Sequence, residues 1–345
     1  MRKHTFRSLA LVVLSACVTL VAVDQAFAGL APVLHRREVH EGMSDLEKLN
    51  PEVLVLGSSH GRTFHVLGQE LSELSHGSHN LVSIPLENGK LSSYAWLLDH
   101  RVVPLLQAPT AAAQAKRNSL KRFIIITEWW DSCRDKSAGW NLPSRAWTLS
   151  DYVASVAADG TNDFNRNFVQ SEWRRLFWNS SLVQDRGFGT LLTKVMSRLR
   201  HRPNGLTPEV YQSQVTGWQK MVEDGVKCLG NSEEMGALKH LIDFGQSNKL
   251  ETTIVLFPRK PDTLTEKARA TTLREFHDRI VTLAEPMGVR VVDLTTSTPL
   301  KSSDFMDDFD HVNSTGNIDF AKWSLAGPLS FLLQPVADPN AGASR

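Results

Sequence analysis

The chain has 345 residues, 41% of them apolar and 22% charged, with a net charge of +1. This is an ordinary globular composition, long enough for one sizeable core or two small ones. Near-neutrality excludes binding by displacement of counterions from phosphates, which needs a strongly basic face, so nucleic acid is not an expected partner.

Arg2, Lys3 and Arg7 precede an apolar run from Leu9 to Val23 that Asp24 ends. Basic then apolar is the pattern of an export signal. Three forms fit it. Ala26-Phe27-Ala28 suits cleavage by signal peptidase, which makes residues 1–30 a removable leader. Phe27 to Leu34 extends the apolar stretch past Asp24, which makes residues 8–34 an uncleaved anchor in the inner membrane. Leu14-Ser15-Ala16-Cys17 resembles a lipobox, although the apolar Val18 to Val23 is unlike the polar start of a mature lipoprotein. All three place the bulk of the chain outside the cytoplasm, in the periplasm or another extracytoplasmic space. Cys17 lies within the signal, leaving Cys133 and Cys228. In an oxidising compartment these two can pair, and two unrelated buried thiols fit the sequence equally.

Five short apolar runs follow: "VLVLG" from Val53, "NLVSIPL" from Asn80, "RFIIIT" from Arg122, "TTIVLF" from Thr252 and "VRVVDL" from Val289. Continuous apolar strands separated by helical segments predict a parallel sheet covered on both faces. Helical spacing marks "LSSYAWLLDHRVVPLLQ", "AAAQAKRNSLK" and Leu264 to Met287. The expected fold class is therefore α/β, a three-layer α/β/α sandwich with a parallel five-stranded sheet, over residues 45–335. Residues 131–249 break the repeat and read as a helical insertion. It holds "WNLPSRAW", "SEWRRLFW", the basic "LLTKVMSRLRHR" and a long amphipathic helix from Pro208 to Lys227. Its tryptophans suit a core, with a groove as the alternative. Residues 336–345 read as a disordered tail.

Ligands of a parallel sheet gather at the carboxyl ends of its strands, where Ser58, Ser59 and His60 stand after the first. A serine in a strand-to-helix turn projects above the sheet beside N–H groups able to hold an oxyanion, and serine is equally a favoured helix cap. Late in the chain, "SSDFMDDFDHVNSTG" gathers Asp307, Asp308, Asp310 and His311. A hydrolytic serine needs a base in hydrogen-bond reach and a carboxylate to orient it. Asp308 and His311, three apart in one loop, supply both. The acidic cluster also suits a divalent cation. No second His or carboxylate cluster stands elsewhere at ligand-like spacing, so no metal or other cofactor is expected. A solvated acidic turn is the structural alternative. His60 reads as a surface residue at a helix start, with substrate contact as the alternative, and Arg259 and Lys260 as a solvated turn, with contact to an anionic glycan as the alternative. Glu128 and Asp131 read either as substrate contacts or as solvated charges.

"VLVLGSSH" and "DDFDHVNSTG" resemble the first and last blocks of SGNH/GDSL-type hydrolases, and within them the envelope-associated branches that include the D-alanyl-lipoteichoic acid esterase and the alginate O-acetylation proteins. The resemblance implies Ser59 as nucleophile, His311 as base and Asp308 as its orienting partner. It also implies an oxyanion hole formed by the N–H groups of Ser59 and Gly89. The family's third-block Asn is absent from "IITEWWDSC", and Asn88 is the candidate substitute. The function implied is an exported serine esterase or O-acyltransferase acting on acyl, chiefly acetyl, esters of a cell-envelope polysaccharide. Its expected partners are an acylated carbohydrate, polysaccharide-modification proteins and, if the N-terminus is uncleaved, the membrane. The alternative is an inactive binding or assembly subunit of exopolysaccharide machinery, with a metal-dependent phosphoesterase behind both.

Overall fold

The computed structural model describes residues 12–16, 18–19, 34–133, 142, 146–160, 165–170, 172, 207–306 and 310–336. Most of the leader, the two Trp-rich segments apart from a few positions, the basic "LLTKVMSRLRHR" segment and nearly all of the tail lie outside them. Residues 12–16 and 18–19 are helical. No described helix is long and apolar enough to cross a membrane.

The chain divides into two compact units, residues 1–37 with 143–204 and residues 38–142 with 205–345. In the first, Thr148 caps the helix Leu149–Asp159 by accepting from Asp151 N–H. Trp147 and Phe168 are buried there, and Tyr152 stacks on Phe168 with ring centroids 5.3 Å apart. Trp147, the one tryptophan of the two Trp-rich segments among the described residues, is thus in a core; Trp140, Trp173 and Trp178 lie outside the described residues.

The second unit holds the sheet: β1 (Val53–Gly57), β2 (Leu81–Pro85), β3 (Arg122–Thr127), β4 (Glu251–Leu256) and β5 (Arg290–Asp293). Every neighbouring pair is parallel, in the order β2-β1-β3-β4-β5. The expected α/β/α sandwich forms. Its layers follow from the alternation of side chains along each strand. Val53, Val55, Ile124, Ile126 and Val255 face one side, where they cluster with Phe64, Leu67 and Leu71 of α2 (Gly61–Leu74) and with Phe320 and Leu325 of α9 (Ser314–Ala326). Leu54, Leu56, Phe123, Ile125 and Ile254 are buried on the other. That face is covered by α3 (Leu91–Leu97) and α7 (Ser232–Ser247), with Phe123 edge-on to Phe244 at 5.4 Å. The helix preceding β1 is α1 (Leu34–Lys48).

The helical run 91–107 continues from α3 through a π-turn, Leu98–Val102, into α4 (Val103–Gln107). Pro104, which has no N–H to donate, sits just beyond that turn and accounts for the wider winding. After it comes α5 (Ala111–Ser119), whose N-terminal amide at Ala113 is capped by Thr110. The amphipathic segment forms α6 (Pro208–Asp224) and ends in a 3-10 turn, Gly225–Lys227. Helix α8 (Arg274–Ala284) precedes β5. The insertion read as 131–249 is therefore too wide at its far end. Leu238, Leu241 and Ile242 of α7 are buried in the layer over β3 and β4, so this helix is the crossover into β4. Cys133 and Cys228 form a disulfide with Cα atoms 4.8 Å apart.

Gly57 ends β1 opposite Ile126 of β3. A Cβ at Gly57 would lie 2.7 Å from Ile126 Cβ and 3.0 Å from its carbonyl oxygen, neither of which is a flexible end. Gly57→Ala should therefore lower stability by about 1–3 kcal/mol, read as a reduced denaturant midpoint at unchanged m. An unaltered midpoint would show that the two strands separate without strain.

Candidate active site

The strand order reverses direction at the crevice between β1 and β3, where doubly wound sheets place their ligands. Ser59 lies in that crevice. The turn that carries it is closed by Gly61 N–H donating to Ser58 O at 2.9 Å and Arg62 N–H to Ser59 O at 3.1 Å. These bonds leave Ser59 immediately before α2, whose N-terminal dipole favours negative charge. The Ser59 N–H has no hydrogen-bond partner among the described residues.

His311 reaches Ser59 from the loop between β5 and α9, with Nε2 2.6 Å from Ser59 Oγ. Its Nδ1 is 2.8 Å from Asp310 Oδ1. Burial opposes the charged form of Asp310, but the His311 hydrogen bond and the charges of His60, His311 and Arg259 together outweigh it and hold the carboxyl at about 2. An ionised carboxylate only accepts, so Nδ1 carries the imidazole proton and Nε2 is left to accept from the Ser59 hydroxyl. The loop itself is fixed from both ends. Met306 N–H donates to His311 O at 2.7 Å, and Asn313 caps α9 by accepting from Thr315 and Gly316 N–H.

The structure thus joins Ser59 and His311 across 252 residues of chain. Asp308, assigned as the orienting carboxylate, lies outside the described residues; among the described residues the carboxylate against His311 is that of Asp310. The oxyanion contribution assigned to the second strand's loop is corrected. Gly89 N–H donates to Leu86 O at 2.8 Å and so is not offered to a ligand. A Cβ at Gly89 would lie 2.6 Å from the Tyr94 ring, so this glycine serves close packing. Asn88 is exposed in a left-handed turn at φ 51° and does not stand in for the absent Asn.

Arg259 and Lys260, read as a solvated turn, are buried, and so are Glu128 and Asp131, read either as substrate contacts or as solvated charges. Glu128, Asp131, Arg259 and Lys260 are all less than 8% exposed, and so is His60. Arg259 Nη1 donates to Glu128 Oε2, and Asp131 accepts the Glu128 N–H at 3.0 Å. Burial, followed by the nearby Glu128 charge, pushes the Asp131 carboxyl well up. Their one sequence signal is position: "TEWWD" and "LFPRK" embed charges among large apolar residues directly after core strands.

His60, read as a surface residue at a helix start, is buried against the loop that carries His311. Its Nε2–H donates to the carbonyl of Asp310 at 3.1 Å, while Nδ1 accepts the Ser58 hydroxyl at 2.8 Å. The ring lies 4.4 Å from Phe257 and stacks on His311 at 5.4 Å and 17°. Burial, the largest influence on it, disfavours its charged form, and the group titrates below the ordinary histidine value. His60 is a positioning residue: it holds the peptide between Asp310 and His311. Glutamine can place an amide N–H near the Nε2 position and asparagine cannot, so His60→Asn should lower kcat 10–100-fold at nearly constant KM, and His60→Gln should recover most of it. Equal loss in both would sink the assignment. The depressed folded pKa means that the unfolded chain binds the extra proton first. Stability is therefore lost as pH falls below about 6.5, and His60→Gln should flatten that slope.

One ligand atom from each of His60, Glu128 and Asp310 lies within 4.8 Å of the others, a grouping that the sequence spacing did not reveal. Arg259 already occupies Glu128, and both ring nitrogens of His60 are engaged. A cation there would sit against a buried guanidinium and break bonds that hold the loop, so the residues do not fit one.

The fold is similar to that of GDSL-family proteins and acetylxylan esterases. An acylhydrolase from Bacteroides fragilis superposes with a TM-score of 0.40 at 9% identity, over 86% of this chain and 96% of the other. A lipolytic protein of the GDSL family from Desulfitobacterium hafniense gives 0.35 at 10% identity, over 78% and 94%. An acetylxylan esterase from Geobacillus stearothermophilus gives 0.38 at 10%, over 79% and 92%. No protein-family model and no curated protein sequence matches the chain. At such identities and superpositions no activity is transferred from these proteins, and the chemistry rests on the site itself.

Proposed function

We propose that the protein is an exported serine esterase or O-acyltransferase acting on acyl, chiefly acetyl, esters of a cell-envelope polysaccharide. The observation that carries this reading is the unbroken relay from Ser59 Oγ to His311 Nε2 and from His311 Nδ1 to Asp310 Oδ1. In it, His311 takes the Ser59 proton as Oγ bonds to the ester carbonyl carbon. The Ser59 N–H and the start of α2 stabilise the oxyanion. His311 then protonates the departing sugar oxygen, leaving an acyl-serine. Water or a second sugar hydroxyl, deprotonated by His311, attacks that acyl group and restores the enzyme. Asp310 stays ionised throughout and stabilises the imidazolium.

Export is supported by the basic-then-apolar N-terminus and by the Cys133–Cys228 pair, which suits an oxidising compartment. A second reading, an inactive assembly or binding subunit, is favoured by the engaged Gly89 N–H and the absent third-block Asn. Acetate release from an O-acetylated polysaccharide, measured with and without a free sugar acceptor, separates the readings. Release to water alone marks a hydrolase, and release or transfer dependent on the acceptor marks a transferase. Neither outcome, in protein whose Ser59 does not label, leaves the binding subunit.

A further inference from the structure

Trp129 and Trp130 follow β3 directly, at the same carboxyl edge of the sheet as Ser59, since Gly57 and Ile126 are paired. Their indoles meet edge to face at 5.4 Å and 79°. Together they line a cavity of about 420 Å³ whose opposite wall is one stripe of α6 and its 3-10 extension, including Gly217, Lys220, Asp224 and Gly225. The volume falls within the ~300–1,000 Å³ of small-molecule sites. Two glycines shape it. A Cβ at Gly217 would meet nothing within 4 Å, so that side is open space, whereas one at Gly225 would lie 2.5 Å from the Trp129 ring. Lys90 Nζ lies 4.2 Å from the Trp130 ring centroid and donates to the Trp130 carbonyl, which fixes the indole.

We infer that this cavity is a glycan subsite that seats a hexopyranose ring of the acyl donor or acceptor. The inference rests on the reading of the protein as a polysaccharide esterase or acyltransferase and names where its sugar binds. A pyranose has an apolar C–H face and a rim of hydroxyls that both donate and accept. The half-buried Trp130 indole, held in place by the buried Trp129, matches the face. Lys220 offers the rim a donor, and Asp224, whose Oδ1 accepts from Lys227 Nζ at 2.6 Å, keeps its second oxygen as an acceptor. An acyl chain has no use for these polar groups, and a cationic ligand meets Lys220 and Lys227.

The test is calorimetric titration of the Ser59→Ala protein with chito-, cello- and mannuronate tetrasaccharides. At least one should bind saturably, and Trp130→Ala in the same background should weaken it tenfold or more. Gly217→Leu, which fills the open space and favours the helix, should do the same with an unchanged thermal midpoint. Absence of saturable binding by all three, or binding by both variants at the parent affinity, overturns the subsite. Turnover of p-nitrophenyl acetate by the wild-type protein reports on the nucleophile alone. If that turnover is absent while saccharide binding persists with the expected losses, the esterase reading fails and the subsite stands.

Discussion

Ser59→Ala should abolish labelling by a fluorophosphonate probe and lower turnover of a small acetyl ester on the order of 10⁴–10⁶-fold. The size follows from the geometry. Ser59 Oγ is the one hydroxyl at His311 Nε2 among the described contacts, at 2.6 Å, and it stands before the unpartnered N–H at the start of α2. Ser58, one residue earlier, is committed to His60 and gives no substitute nucleophile. His311→Ala should lose about as much, because nucleophile and base act as one unit. If the wild type does not label, or Ser59→Ala labels equally, the nucleophile is elsewhere.

Asp310→Asn should cost on the order of 10³–10⁴-fold in kcat, with KM little changed. The amide favours the wrong histidine tautomer: an Asn N–H facing Nδ1 forces the imidazole proton onto Nε2, which then has no lone pair for the Ser59 proton. Asp308→Asn, in parallel, decides between the two carboxylates. Loss in Asp310→Asn with activity kept in Asp308→Asn supports the contact at 2.8 Å. The reverse pattern returns the role to Asp308. Because Asp310 stays ionised down to about 2, an acid limb of the wild-type rate profile above pH 4 is not its titration. The same depression carries a stability consequence. The folded state gains from the ionised Asp310 above the unfolded carboxyl value near 3.9, and that gain disappears as pH falls toward 2.

The sheet was legible because its strands are uninterrupted apolar runs, which have few alternatives once helical segments separate them. All five strands lie within a residue or two of "VLVLG", "NLVSIPL", "RFIIIT", "TTIVLF" and "VRVVDL". Ser59 was legible from its place in a strand-to-helix turn, and His311 from the need of such a serine for a base. The choice of aspartate is not fixed by spacing, because three of them stand within four positions, and Asp308 lies outside the described residues. The buried charges were hidden for a different reason. Glu128 and Arg259 are 131 residues apart, and each alone reads as solvent-facing; only their pairing makes burial tolerable. Gly89 was misread because a glycine needed for packing against Tyr94 has the same sequence signature as one needed to bare an N–H.

The Cys133–Cys228 bond adds a property of connectivity. The segment between the two cysteines, an excursion of 95 residues along the sequence, begins and ends with Cα atoms only 4.8 Å apart. Seen from β3 and β4, the excursion enters and leaves at a single covalently clasped point. A change of length within it does not have to alter the register of those strands, so the Ser59–His311–Asp310 contacts and whatever the excursion recognises can diversify separately. A cut inside it leaves the two fragments as one molecule until the disulfide is reduced.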